Sequence, residues 1–78
     1  MPVLKGNDRM PNAYIELIDS LILQRQALKI SQRELASAAG VSLTEVALME
    51  QKKHMVQLRA LLRIAAALNC KLVAVSVE

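Results

Sequence analysis

Phenylalanine and tryptophan are absent from the 78 residues, and Tyr14 is the only aromatic side chain. Modules that stack single-stranded bases on aromatic platforms, or line a peptide groove with rings, need several such side chains. Both classes are excluded. Cys70 is the only cysteine, which rules out an intrachain disulfide and a cysteine metal cluster. His54 is the only histidine and follows two lysines, where an imidazole is expected to be a solvated surface group. Proline and glycine are scarce too: Pro2, Gly6 and Pro11 fall in the first eleven residues, a stretch without periodicity that reads as a flexible arm. That arm carries Lys5, Asp8 and Arg9 and no apolar core, so it is not a secretory signal. No uncharged apolar run approaches the roughly 18 residues of a membrane span. No membrane partner is expected, and a cytoplasmic location follows by default. Enzymatic chemistry lacks its parts, with no Gly-rich phosphate loop and no metal-ligand spacing. Ser31 and Ser42 have no base beside them to activate a hydroxyl. No cofactor, metal or catalytic residue is expected.

What is present is aliphatic. Leu, Ile, Val, Ala and Met make up nearly all of the 54% of residues that are apolar. One domain is the ceiling at this length, and small domains bury a modest share of their surface. An apolar excess in so short a chain predicts self-association. The net charge is +3 and unevenly spread. From Arg25 to Arg63 seven basic residues face three acidic ones, a balance of +4, and the remainder sums to −1. A basic stretch suits phosphate contact, although charge alone fits a solvated surface equally well.

Two Ser-x-x-Glu sequences stand eleven residues apart, Ser31-Gln32-Arg33-Glu34 and Ser42-Leu43-Thr44-Glu45. Each is a capping box: the serine oxygen accepts from the backbone N–H three residues on, and the glutamate reaches back to the serine N–H. Gly40 lies between them, where the first helix must stop with a residue at positive φ. Eight residues of helix, a Gly-Val turn and a second short helix make a helix-turn-helix, a motif that sets a short helix in the DNA major groove.

Four helices are predicted. The first runs from Ala13 to about Leu28, with Asn12 as N-cap and apolar residues at 14, 15, 18, 21, 22 and 28; Leu17 and Leu23 widen its apolar face, as a dimer contact or a buried helix would. The second spans Gln32 to Ala39, with Leu35, Ala36 and Ala39 inward. The third spans Leu43 to Gln51, with Val46 and Met49 inward. The Gln51-Lys52-Lys53-His54 segment breaks that stripe and predicts a turn. The fourth spans Arg59 to Leu68, with Leu58, Leu61, Leu62, Ala65 and Leu68 on one face and Asn69 in the left-handed terminal position. The tail changes period: Val73, Val75 and Val77 alternate with Leu72, Ala74 and Ser76, which predicts a strand. Nothing else in the chain looks like a partner strand, so the expected partner is the same strand of a second copy. The organisation is then an arm over 1–11, a helix-turn-helix domain over 12–69 and a dimerisation strand over 70–78.

The segment Leu28 to Glu50 resembles the helix-turn-helix of the Xre family, which includes phage lambda Cro and repressor. The likeness rests on Ser31-Gln32-x-Glu34-Leu35-Ala36, Gly40-Val41-Ser42, Val46 and Met49-Glu50, and Leu61 to Leu68 looks like the family's next helix. The appended strand looks like that of HipB-type antitoxins. The resemblance implies an all-α, lambda-repressor-like bundle of four or five helices with one C-terminal β-strand pairing across a dimer. It also implies a homodimeric repressor that binds operator double-stranded DNA, regulates its own operon and neutralises a toxin protein.

By position, the resemblance places Ser31, Gln32 and Arg33 at the phosphate backbone, with Gln32 bracing a base-reading side chain. It places Leu43, Thr44, Ala47 and Leu48 on the outward face of the recognition helix, Ser42 as its cap, and Gln51, Lys52 and Lys53 in a loop that touches the backbone. Arg25 and Glu50 match a buried ion pair, and Leu72, Val73, Ala74, Val75 and Val77 form the dimerisation strand. Two departures stand out. Recognition helices usually present Gln, Arg, Asn or Lys to base edges, and this one presents Leu43, Thr44, Ala47 and Leu48. Lys52 stands where glycine usually follows the helix. The alternative function is a protein-interaction module of the same fold that binds a toxin or regulator, with weak or no specific DNA binding.

Overall fold

The computed structural model describes residues 10–77, so the expected arm lies almost wholly outside the described residues. Four helices follow one another: α1 (Asn12–Ala27), α2 (Gln32–Ala39), α3 (Leu43–Gln51) and α4 (Leu58–Ala67). α2 packs on α3 and on α4, and α1 on α3. The core between them is aliphatic, built on Ile18, Leu35, Val46, Met49, Ile64 and Leu68, with Tyr14 and Leu21 from α1.

Both capping boxes form. Ser31 Oγ accepts from Glu34 N at 2.9 Å while Ser31 N donates to Glu34 Oε1 at 2.7 Å. Ser42 and Glu45 repeat the exchange at 3.0 Å in each direction. These bonds satisfy backbone N–H groups that the first turn of a helix leaves without partners. The start of α1 differs from expectation. Pro11, extended at ψ 142, is the N-cap and Asn12 is already helical; no side chain caps this end, and Pro11 O accepts from Tyr14 N and Ile15 N. An asparagine inside the first turn no longer has its side chain beside the free N–H groups.

The helix ends share one device. α1, α2 and α4 are each followed by a left-handed residue, Lys29 (φ 58), Gly40 (φ 70) and Asn69 (φ 60). In each, the next residue's N–H reaches back five positions: Ile30 N to Arg25 O, Val41 N to Ala36 O, Cys70 N to Ala65 O. This is the Schellman pattern. Its usual hydrophobic companion is present, because Ile30, Val41 and Cys70 all pack against the core. α3 ends on Lys52, also left-handed at φ 58. The α3–α4 connection folds over the Tyr14 hydroxyl, which accepts from Val56 N at 3.2 Å and donates to His54 O at 3.5 Å. Gln24 Nε2 ties α1 to the end of α4 by donating to Leu68 O at 3.0 Å.

Three apolar expectations are corrected. α1 ends at Ala27, and Leu28 is exposed beyond it. Leu58 and Leu62 of α4 are exposed, while Ala60 and Ile64 are buried. The buried face of α4 follows residues 60, 61, 64 and 65, a stripe rotated away from the two leucines. Leu23 on α1 is exposed within the single chain, while Leu17 packs against the core. Residues 71–77 form neither helix nor strand within the single chain, and no strand occurs among the described residues. Leu72 packs against the core, and Val73, Val75 and Val77 stand exposed. Among the described residues no helix is long and apolar enough to cross a membrane.

Candidate nucleic-acid interface

α3 is held from its inner side. Val46 and Met49 are fully buried. Leu43, assigned by resemblance to the outward face, is half-buried at the start of α3, with part of its side chain against the core. Glu50 faces α1, where its carboxylate accepts from Arg25 Nε at 2.7 Å and Arg25 Nη2 at 3.1 Å. Gln32 Nε2 donates to the same carboxylate at 2.9 Å. Arg25 Nη1 reaches Ile30 O at 2.8 Å in the α1–α2 connection. The guanidinium and carboxylate are only 15% and 10% exposed, so three helices meet in one half-buried polar cluster. Paired charges with every remaining polar contact filled are the form in which ions are tolerated away from water.

With the inner face so occupied, Thr44, Ala47, Leu48 and Gln51 remain. Their spacing of three, four and seven puts them on one face. Thr44 and Gln51 are exposed; Ala47 and Leu48 are half-buried at its edges. Ser31, Arg33 and Ser42 are exposed at the two helix starts, and Lys53 is exposed just beyond α3. Gln32 is half-buried, with its amide N–H already given to Glu50. Lys52 is not a free cation: its Nζ lies 2.6 Å from Asp19 Oδ1 on α1. His54 is exposed and enters the network through its backbone carbonyl.

Sequence reasoning did not reach Asp19, Gln24 or the Tyr14 hydroxyl. Each acts on a residue more than thirty positions away, and no local pattern marks such a pairing. The αL lysine at 29 also had no signal, because lysine is not a residue that announces a left-handed turn.

A sequence profile described as Helix-turn-helix matches residues 21–75. No curated protein and no solved structure matches the chain. The profile covers α2, the Gly40 turn, α3 and α4 in full, together with the C-terminal part of α1 from Leu21 onward.

Proposed function

The chain belongs to the helix-turn-helix family of Xre and lambda Cro-like proteins, and on that premise we propose that it binds operator DNA as a homodimer and represses transcription. A single observation carries the reading. α3 is capped at its start and fixed on its inner side by the Arg25–Glu50 pair, while its opposite face, with Thr44 and Gln51, is left to solvent. A rigid short helix with one free face is what a major groove accepts. Exposed Arg33 and Lys53 flank it, and cations beside a recognition helix supply the sequence-independent attraction to phosphate. Ser31, Gln32 and Ser42 stand at helix N-termini, where backbone N–H groups favour anions.

The homodimer is supported by the tail. Val73, Val75 and Val77 alternate and stand exposed beside a core that Leu72 already touches, and a β-branched stripe of period two is covered when a second strand pairs alongside it. Two recognition helices would then lie about 34 Å apart, one turn of DNA. The antitoxin role rests on the tail's resemblance to HipB-type proteins, and it adds a toxin as the protein partner.

A second reading, a protein-docking module of the same fold, is favoured by one feature: polar base-reading groups are sparse on α3. Salt separates the two. Binding of the protein to the DNA upstream of its own coding region, against a scrambled duplex, is measured across a salt series. A preference of about a thousandfold or more with a steep salt slope establishes the specific repressor. Equal, weak binding to both duplexes favours the docking module.

A further inference from the structure

The free face of α3 has an unusual chemistry for a helix that enters a groove. Of Thr44, Ala47, Leu48 and Gln51, only Thr44 and Gln51 hold hydrogen-bonding atoms, and Gln51 is the helix's last residue. Helix-turn-helix recognition places the N-terminal residues of the helix over base edges. At that end the face offers one hydroxyl and a cluster of methyl groups: Thr44 Cγ2, the Ala47 methyl and the Leu48 isobutyl. Glu45, the other polar side chain near the start, is committed to its capping box. Glu50 is committed to Arg25 and Gln32. Leu43, packed on the core, adds no polar group. In the major groove the feature that meets an aliphatic surface is the C5-methyl group of a pyrimidine; the other distinguishing features of base pairs are hydrogen-bond donors and acceptors.

We propose that α3 recognises pyrimidine 5-methyl groups in the major groove through Thr44, Ala47 and Leu48. This rests on the DNA-binding reading above and names what that face reads. Thymine is the source in unmodified DNA, and 5-methylcytosine presents the same group at the same place. Leu48 and Ala47, half-buried at the edge of the face, are positioned by the helix packing beneath them and supply a fixed apolar wall. Thr44, exposed near the start of α3, adds a methyl group beside a hydroxyl that adapts to donor or acceptor.

The test needs no knowledge of the operator. The full-length protein is titrated by fluorescence anisotropy against alternating poly(dA-dT) and poly(dA-dU), which differ only in the C5-methyl group, and against poly(dG-dC) and its 5-methyl-dC counterpart. The expected result is tighter binding to each methylated polymer, by about fourfold for each methyl group brought into contact. Salt slopes should be parallel within each pair because the phosphates are the same. The first pair reports on thymine, the second on 5-methylcytosine; a preference confined to the first pair supports thymine as the sole source. Leu48→Ala should bring the preference towards one. Because Leu48 is half-buried, Thr44→Ser serves beside it: it removes one methyl group at an exposed position, keeps the hydroxyl, and should lower the preference without unfolding the domain. Equal binding within both pairs, with a steep salt slope, overturns the methyl inference and leaves DNA binding intact. A preference that survives both substitutions overturns it too, since the discrimination then comes from duplex shape. No binding to any polymer overturns the DNA-binding reading itself.

Discussion

Arg25 holds Glu50 by two nitrogens, Nε on Oε2 at 2.7 Å and Nη2 on Oε1 at 3.1 Å, and so fastens α1 to α3. The fork geometry of guanidinium on carboxylate fixes direction as well as distance. Gln32 adds a third donor to the carboxylate, which makes the orientation of α3 depend on one acidic side chain. Removing either ion leaves the other largely buried without its partner, at a cost of about 3–5 kcal/mol. Arg25→Ala and Glu50→Ala should therefore each lower the melting temperature by more than about 12 °C in a domain of this size. The double variant should be less destabilised than the sum of the two. Thermal unfolding followed by circular dichroism checks both statements, and simple additivity would show that the pair is not coupled.

Much of this architecture is legible in the residues. The two Ser-x-x-Glu boxes and Gly40 fix the starts of α2 and α3 and the end of α2 through local hydrogen bonds, and local bonds leave local signatures. Leu35, Ala36, Ala39, Val46 and Met49, all buried, follow from helical spacing. The buried face of α4 follows only in part: Leu61, Ala65 and Leu68 are buried as their spacing predicts, but the apolar stripe is wider than the buried one, and the core takes Ala60 and Ile64 on one side while leaving Leu58 and Leu62 on the other exposed. Leu72 to Val77 alternate in the manner of a strand, yet within the single chain they form neither strand nor helix, because the alternation marks a face and supplies no partner.

Lys29 occupies the left-handed position after α1 at φ 58. A side chain with a Cβ is strained there by about 1–2 kcal/mol, a cost glycine avoids. Lys29→Gly should stabilise the domain by about 0.5–1 kcal/mol after glycine's greater unfolded-state entropy is subtracted. Chemical denaturation should show a higher midpoint with an unchanged slope. A lower midpoint would mean that the lysine side chain contributes more than its backbone strain costs. Lys52→Gly relieves the same strain at φ 58, but it also removes a cation beside the proposed DNA surface, so its stability and DNA affinity should move in opposite directions.

If the tail completes a strand pair between copies, deleting residues 71–78 should raise the dimer dissociation constant sharply while leaving the helical core folded. The fully buried side chains all lie on α1 to α4 or at Leu68, outside that segment, and Leu72 within it packs against them. Sedimentation equilibrium gives the association constant, and circular dichroism reports the helices. A truncated chain that stays folded and dimerises as tightly as the intact one would remove the tail from the interface.

Among the described residues, Asp19 and Lys52 form the one ion pair in which an acidic side chain occupies a proposed phosphate-binding cation, with Nζ to Oδ1 at 2.6 Å. Both side chains are substantially exposed, 33% for Lys52 and 51% for Asp19, so the pair contributes little to stability, about 0–1 kcal/mol. Its effect on DNA binding should be larger than its effect on folding. A phosphate in contact with Lys52 would stand about 6 Å from the Asp19 carboxylate, a like-charge repulsion of roughly 0.7 kcal/mol in water, or threefold in affinity for each domain. Asp19→Asn should therefore tighten binding to every sequence alike. It should also steepen the dependence of log K on log salt by up to about one unit, because Lys52 becomes free to displace a counterion. Lys53→Ala, which removes an exposed cation, should do the reverse and flatten the slope by about one unit. In a Lys52→Ala background the Asp19→Asn gain should shrink to whatever long-range repulsion remains. If Asp19→Asn instead weakened binding, the carboxylate would be orienting the lysine towards phosphate rather than competing for it.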